Sequence, residues 1–63
     1  MKYLVSYVPS RKEEVINKLE YYGKIVYRSD ILNVVGVKTH MDIITIKHIA
    51  GVTRVDVGIS GKL

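Results

Sequence analysis

The chain has no cysteine and a single proline in 63 residues. Without cysteine there is no disulfide framework and no thiolate metal site to hold a small fold together. No apolar run approaches the roughly 18–20 residues that a bilayer-spanning helix needs. The opening segment Met1 to Val8 is too short and too interrupted for a secretory signal. The expectation is a soluble, cytoplasmic or intracellular chain with no membrane partner. Gly36, Gly51, Gly58 and Gly61 match neither dinucleotide-binding nor P-loop spacing, so no phosphate-cradling loop is expected. Ser6, Ser10, Ser29 and Ser60 have no base near them in sequence. His40 and His48 fall about two turns apart on one predicted helix, with no carboxylate in register, and read as partly exposed helix residues. Glu13 and Glu14 open a helix, where its macrodipole favours them. Nothing here assembles a catalytic centre, a metal site or a cofactor site, and the chain is read as a non-enzyme.

What is present is a globular balance: 48% hydrophobic and 25% charged residues. The length allows one domain, near the lower limit for a core that holds unaided. A formal charge of +4 favours an acidic partner without choosing between nucleic acid and protein.

The run Ile31-Leu32-Asn33-Val34-Val35-Gly36-Val37-Lys38 is strand-length, β-branched and lacks polar alternation, as expected of a central strand. Gly36 within it marks a bulge or a close backbone approach. Lys2 to Val8 is a first strand with Tyr3, Val5 and Tyr7 on one side, ended by Pro9. Ser10 and Glu13 form a capping box for a helix carrying Val15, Ile16, Leu19 and Tyr22 on its buried stripe, with Gly23 as its left-handed terminator. Lys24 to Arg28 is a second strand, and Ser29-Asp30 a short turn into the central run. Thr39 and Asp42 repeat the box. Ile43, Ile46, Ile49 and Ala50 mark a second buried stripe, widened by Met41 and Ile44, and Gly51 ends that helix. Val52 to Val57 alternates as a half-buried strand.

This order is strand-helix-strand twice over. Its natural closure is an α+β, ferredoxin-like split βαβ sandwich: a four-stranded antiparallel sheet, first and third strands central, both helices on one face. Residues 1–57 form the single domain and 58–63 a tail without periodicity.

Two surfaces are available for binding. The sheet face without helices is expected to carry Tyr3 or Tyr7 with Arg28, Arg54 or Lys24, where stacking of nucleic-acid bases is one use and wet-tipped sheet residues the plainer one. Lys2, Lys12, Lys18, Lys24, Lys38 and Lys47 read as scattered. The tail Gly58-Ile59-Ser60-Gly61-Lys62-Leu63 is either a frayed terminus or a segment that adds to a partner as a strand.

Three stretches resemble the propeptide domains of subtilisin-type serine proteases and their free-standing inhibitors. Lys2-Tyr3-Leu4-Val5-Ser6-Tyr7 is similar to their first strand, and Gly23-Lys24-Ile25-Val26-Tyr27 to their second. Leu32-Asn33 through Val37, then Ile49-Ala50-Gly51-Val52-Thr53-Arg54-Val55-Asp56, resembles their third strand and their helix-to-last-strand passage. The resemblance covers nearly the whole chain. It implies a sheet face that docks on two protease surface helices and a C-terminal segment lying in the active-site cleft. By position, Gly58, Ile59, Ser60, Gly61 and Lys62 would form the inhibitory tail, Leu63 would fill the specificity pocket, and Asp56 would face protease helix N-termini. The family usually carries two or three acids where this chain has only Asp56. Alternatives are an interaction module of a virus or mobile element with another protein partner, nucleic-acid binding through a basic sheet face, and a ligand-sensing oligomeric module of the amino-acid-binding type.

Overall fold

A computed structural model describes residues 1–57. The chain runs β1 (Lys2–Tyr7), a single 3-10 turn (Pro9–Arg11), α1 (Lys12–Tyr22), β2 (Gly23–Ser29), β3 (Val34–Thr39), α2 (Ile43–Lys47) and β4 (Val52–Val57). The four strands form one antiparallel sheet in the order β2-β3-β1-β4. This is the expected βαββαβ arrangement, with β1 and β3 central.

Alternation along the strands sends Tyr3, Val5 and Tyr7 of β1 and Val35 and Val37 of β3 to one side, where they are buried. Val15, Ile16 and Leu19 of α1 and Ile46 of α2 join them in one core, with Ile49 and Val55. Tyr3 keeps its hydroxyl satisfied there by donating to the Met41 carbonyl at 3.0 Å. Thr39, the one buried polar residue of the described chain, donates through Oγ1 to the Tyr22 carbonyl at 2.8 Å and accepts from the Met41 N–H at 3.1 Å. It thereby ties the end of α1 to the passage between β3 and α2.

Several local expectations are corrected. The central strand begins at Val34, and Ile31 and Leu32 lie in the β2–β3 connection, 93% and 68% exposed. The register fixed by the buried valines leaves residues 30–33 to turn the chain, with Asn33 at φ 56°, the left-handed region that asparagine tolerates better than most residues. Ser10 sits within the 3-10 turn, and Arg11 takes the N-cap of α1 without a side-chain cap bond. Pro9 explains this, because its fixed φ starts a turn one residue too early for the box. Thr39 ends β3, and Asp42 itself caps α2, accepting from the Thr45 N–H at 2.9 Å and the Thr45 hydroxyl at 2.6 Å. Gly23 is extended, and glycine is needed there because a Cβ would run into the Lys38 carbonyl and Thr39. Gly51 does hold a positive φ of 96° after α2. On α2, Ile44 and the following Ala50 are exposed, because the helix is only five residues long and buries Ile46 alone.

Gly36 is a close approach at an irregularity. Val26 is an extra residue in β2, since Ile25 pairs with Val37 and Tyr27 with Gly36. No helix of the described residues is long and apolar enough to cross a membrane.

Candidate functional site: the bare face of the sheet

With α1 and α2 on one side, no element among the described residues covers the opposite side of the sheet. Residues directly opposed on neighbouring antiparallel strands project to the same face, so the register gives the composition of this face in three rows. The first holds Lys24, Lys38 and Lys2. The second holds Tyr27, Gly36, Leu4 and Asp56. The third holds Ser29, Val34, Ser6 and Arg54.

The middle of the face is low. Gly36 has no side chain, and a Cβ built there would lie 2.9 Å from the Tyr27 Cβ and 3.7 Å from a Leu4 methyl. Tyr27 is 45% exposed, and Leu4 and Val34 are half-buried. The result is a shallow, largely apolar floor between a lysine row at one end and Arg54 at the other. Arg54 Nε donates to Asp56 Oδ2 at 3.0 Å. This pair is exposed enough to contribute little to stability.

The structure redistributes the residues expected here. Arg54 is on the bare face, with Lys24. Tyr3 and Tyr7 are in the core on the opposite side and are not available to stack on a ligand. The same periodicity that placed them together on one side of β1 is the reason, because that side is the one the helices cover. Arg28 opposes buried Val35 and so points to the helix side, where its Nε donates to Asp30 Oδ1 at 3.3 Å. Lys12 at the start of α1 reaches the same oxygen at 2.9 Å. The two cations hold the Asp30 carboxyl below its ordinary value, Lys12 contributing most. Asp56 lies on the bare face at the end of β4. Gly58, Ile59, Ser60, Gly61, Lys62 and Leu63 lie outside the described residues.

Two features of this face are not legible in the sequence: the exposure of Tyr27 and the alignment of Lys2, Lys24 and Lys38. Tyr27 is the aromatic that the face exposes, and its expected neighbours in sequence gave no sign of that, because the extra residue Val26 reverses the alternation of β2. The lysines were read as scattered because they are far apart in sequence. Only pairing β1, β2 and β3 in register brings Lys2, Lys24 and Lys38 side by side.

A groove of about 430 Å³ on the other side of the molecule, between α1 and the α2–β4 passage, is lined by Glu14, Lys18, Tyr22, Thr45, His48 and Ile49. His40 instead lines a cleft of about 280 Å³ with Lys24 and Lys38 at the lysine end of the sheet. The two histidines therefore serve different surfaces, and no group of three His, Cys, Asp or Glu side chains among the described residues is placed to hold a metal ion.

Fold and face together define a small α+β domain with one sheet surface that no described element covers. The chain matches no protein-family model, no curated protein and no solved structure.

Proposed function

We propose that this protein is a binding protein that docks through the bare sheet face, and that it inhibits a subtilisin-type serine protease in the manner of the propeptide-like inhibitors it resembles. The observation that carries this reading is the uncovered face itself, four strands wide and flattened at its centre by Gly36. A flat apolar floor with polar ends suits the packed centre and wet rim of a protein interface. Asp56 shares the face, near the end of β4. Its carboxylate is positioned to trade Arg54 for the N–H groups of a partner helix, whose positive end favours an acid. Residues 58–63, with apolar Leu63 among them, then supply the segment that enters the cleft. In this reading the protein acts as a ligand of the protease and not as a catalyst.

The test is inhibition of a purified subtilisin-type protease by the full chain and by a chain truncated after Val57. Tight inhibition lost on truncation supports the reading. Equal and feeble effects of both chains exclude it.

A second reading is favoured by one specific feature. The lysine row and Tyr27 on one face offer cations for phosphates and a ring for a base. Binding of a single-stranded oligonucleotide that weakens steeply with salt is its signature.

A further inference from the structure

We infer that Lys2, Lys38 and Lys24 form a cationic, hydrogen-bond-donating row for an acidic patch on the docked partner, so that the protease this chain inhibits carries carboxylates opposite that end of the sheet. The inference rests on the inhibitor reading and specifies the partner's chemistry.

Lys38 stands directly opposite Lys2 on one side and Lys24 on the other. Adjacent strands are about 4.8 Å apart, so the three side chains leave the sheet within roughly 10 Å of one another. Like charges directly opposed across strands destabilise a sheet. Folding therefore gains nothing from this row. Nor do the charges find relief in an ion pair among the described residues. The four ion pairs among the described residues use Arg11, Lys12, Arg28 and Arg54, and none involves Lys2, Lys24 or Lys38. The carboxylate of the face, Asp56, is in the adjoining row and already paired with Arg54. All three lysines are exposed, and their ammonium groups are compact, mobile point charges suited to a cluster of carboxylates. Where a local rule of folding is broken without compensation inside the fold, function is the usual beneficiary.

The occupant is a protein surface more readily than a nucleic acid. A phosphate chain crossing the face away from the lysines meets the carboxylate of Asp56 beside Leu4, whereas a protein of mixed surface can set acids against the lysines and apolar atoms against Leu4, Gly36 and Val34. Complementary charge at an interface acts mainly on the association rate and is screened by salt.

The experiment measures association rates with a subtilisin-type protease at about 20 mM and about 300 mM salt, where screening differs severalfold. It compares the full-length wild type with Lys38→Glu, Lys38→Gln and Lys47→Glu, the last being on α2 and away from the face. Lys38→Glu is expected to associate roughly tenfold more slowly at low salt, Lys38→Gln to fall between, and the gap to narrow at high salt. Lys47→Glu stays near wild type. Lys38→Glu also melts higher than wild type, which separates slowed docking from misfolding. Association of Lys38→Glu at the wild-type rate and with the wild-type salt dependence overturns the inference while leaving the inhibitor reading intact. Failure of the wild type to inhibit removes both. A wild-type association rate that does not change between the two salt concentrations also overturns the inference.

Discussion

Gly36 of β3 sits directly across from Tyr27 of β2, and the two backbones come so close that a Cβ on Gly36 would lie 2.9 Å from the Cβ of Tyr27. Gly36→Ala is therefore expected to destabilise the domain by about 1–3 kcal/mol, the usual effect of overpacking. The atom in the way is a Cβ, so Tyr27→Ala does not relieve the strain and Tyr27→Gly does. A double-mutant cycle by urea unfolding reads this directly. Equal effects of Gly36→Ala in the Tyr27→Ala and Tyr27→Gly backgrounds would show that the contact is not the cause.

The Tyr7 hydroxyl is buried without a hydrogen-bond partner among the described residues. An unsatisfied buried donor is penalised by its lost hydration, so Tyr7→Phe is expected to raise stability by about 1 kcal/mol. A lower melting temperature for Tyr7→Phe would mean that the hydroxyl is bonded in solution.

Sequence reasoning reached the fold because its signals are periodic and redundant. Valines and tyrosines at every second position fixed β1 and β4, and Val15, Ile16 and Leu19 fixed α1. It failed where position along the chain depends on three-dimensional register. Ile31 and Leu32 look like strand residues by composition, yet the pairing of Val34 with Ser6 and Ser29 leaves them in the turn. The side of β1 that carries Tyr3 and Tyr7 was legible, but which side the helices would cover was not. The lysine row is invisible to any local window, since it exists only through strand pairing.

Asp42 caps α2, and its carboxyl is held below its ordinary value of 3.8, chiefly by the Thr45 hydroxyl and then by the Thr45 N–H. A folded-state value below the unfolded one means that the stabilisation is complete above about pH 4 and is lost as pH falls through the folded value. Asp30 acts in the same direction through Lys12 and Arg28. Both groups are exposed, so solvent screening keeps each contribution small. Thermal melts should be level near neutral pH and fall on the acid side of pH 4. Asp42→Asn keeps a capping oxygen, and so should melt near wild type at pH 7 with a shallower acid decline. Asp42→Ala should melt lower throughout the neutral range. An unchanged acid limb in Asp42→Asn would remove this carboxylate from the account.

Ile46 is the fully buried residue of α2, a helix of five residues too short to hold without packing. Ile46→Asp is expected to unfold the domain, because an unpaired charge in this core has no partner to compensate it. Ile46→Val removes one methylene and should lower stability by only about 0.5–1.5 kcal/mol. Far-UV circular dichroism with thermal unfolding distinguishes the two. A cooperative melt of Ile46→Asp near the wild type would contradict the placement of α2.

The central claim is that the uncovered sheet face, and not the helical side, is the docking surface. Amide chemical-shift mapping of the full chain, with a catalytically inactive subtilisin-type protease added, tests it most directly. The account predicts changes at Leu4, Ser6, Tyr27, Val34, Gly36 and Lys38, with Asn17, Tyr21 and Ile44 on the helical side unmoved. Changes confined to the helical residues, or no changes at all, would contradict it.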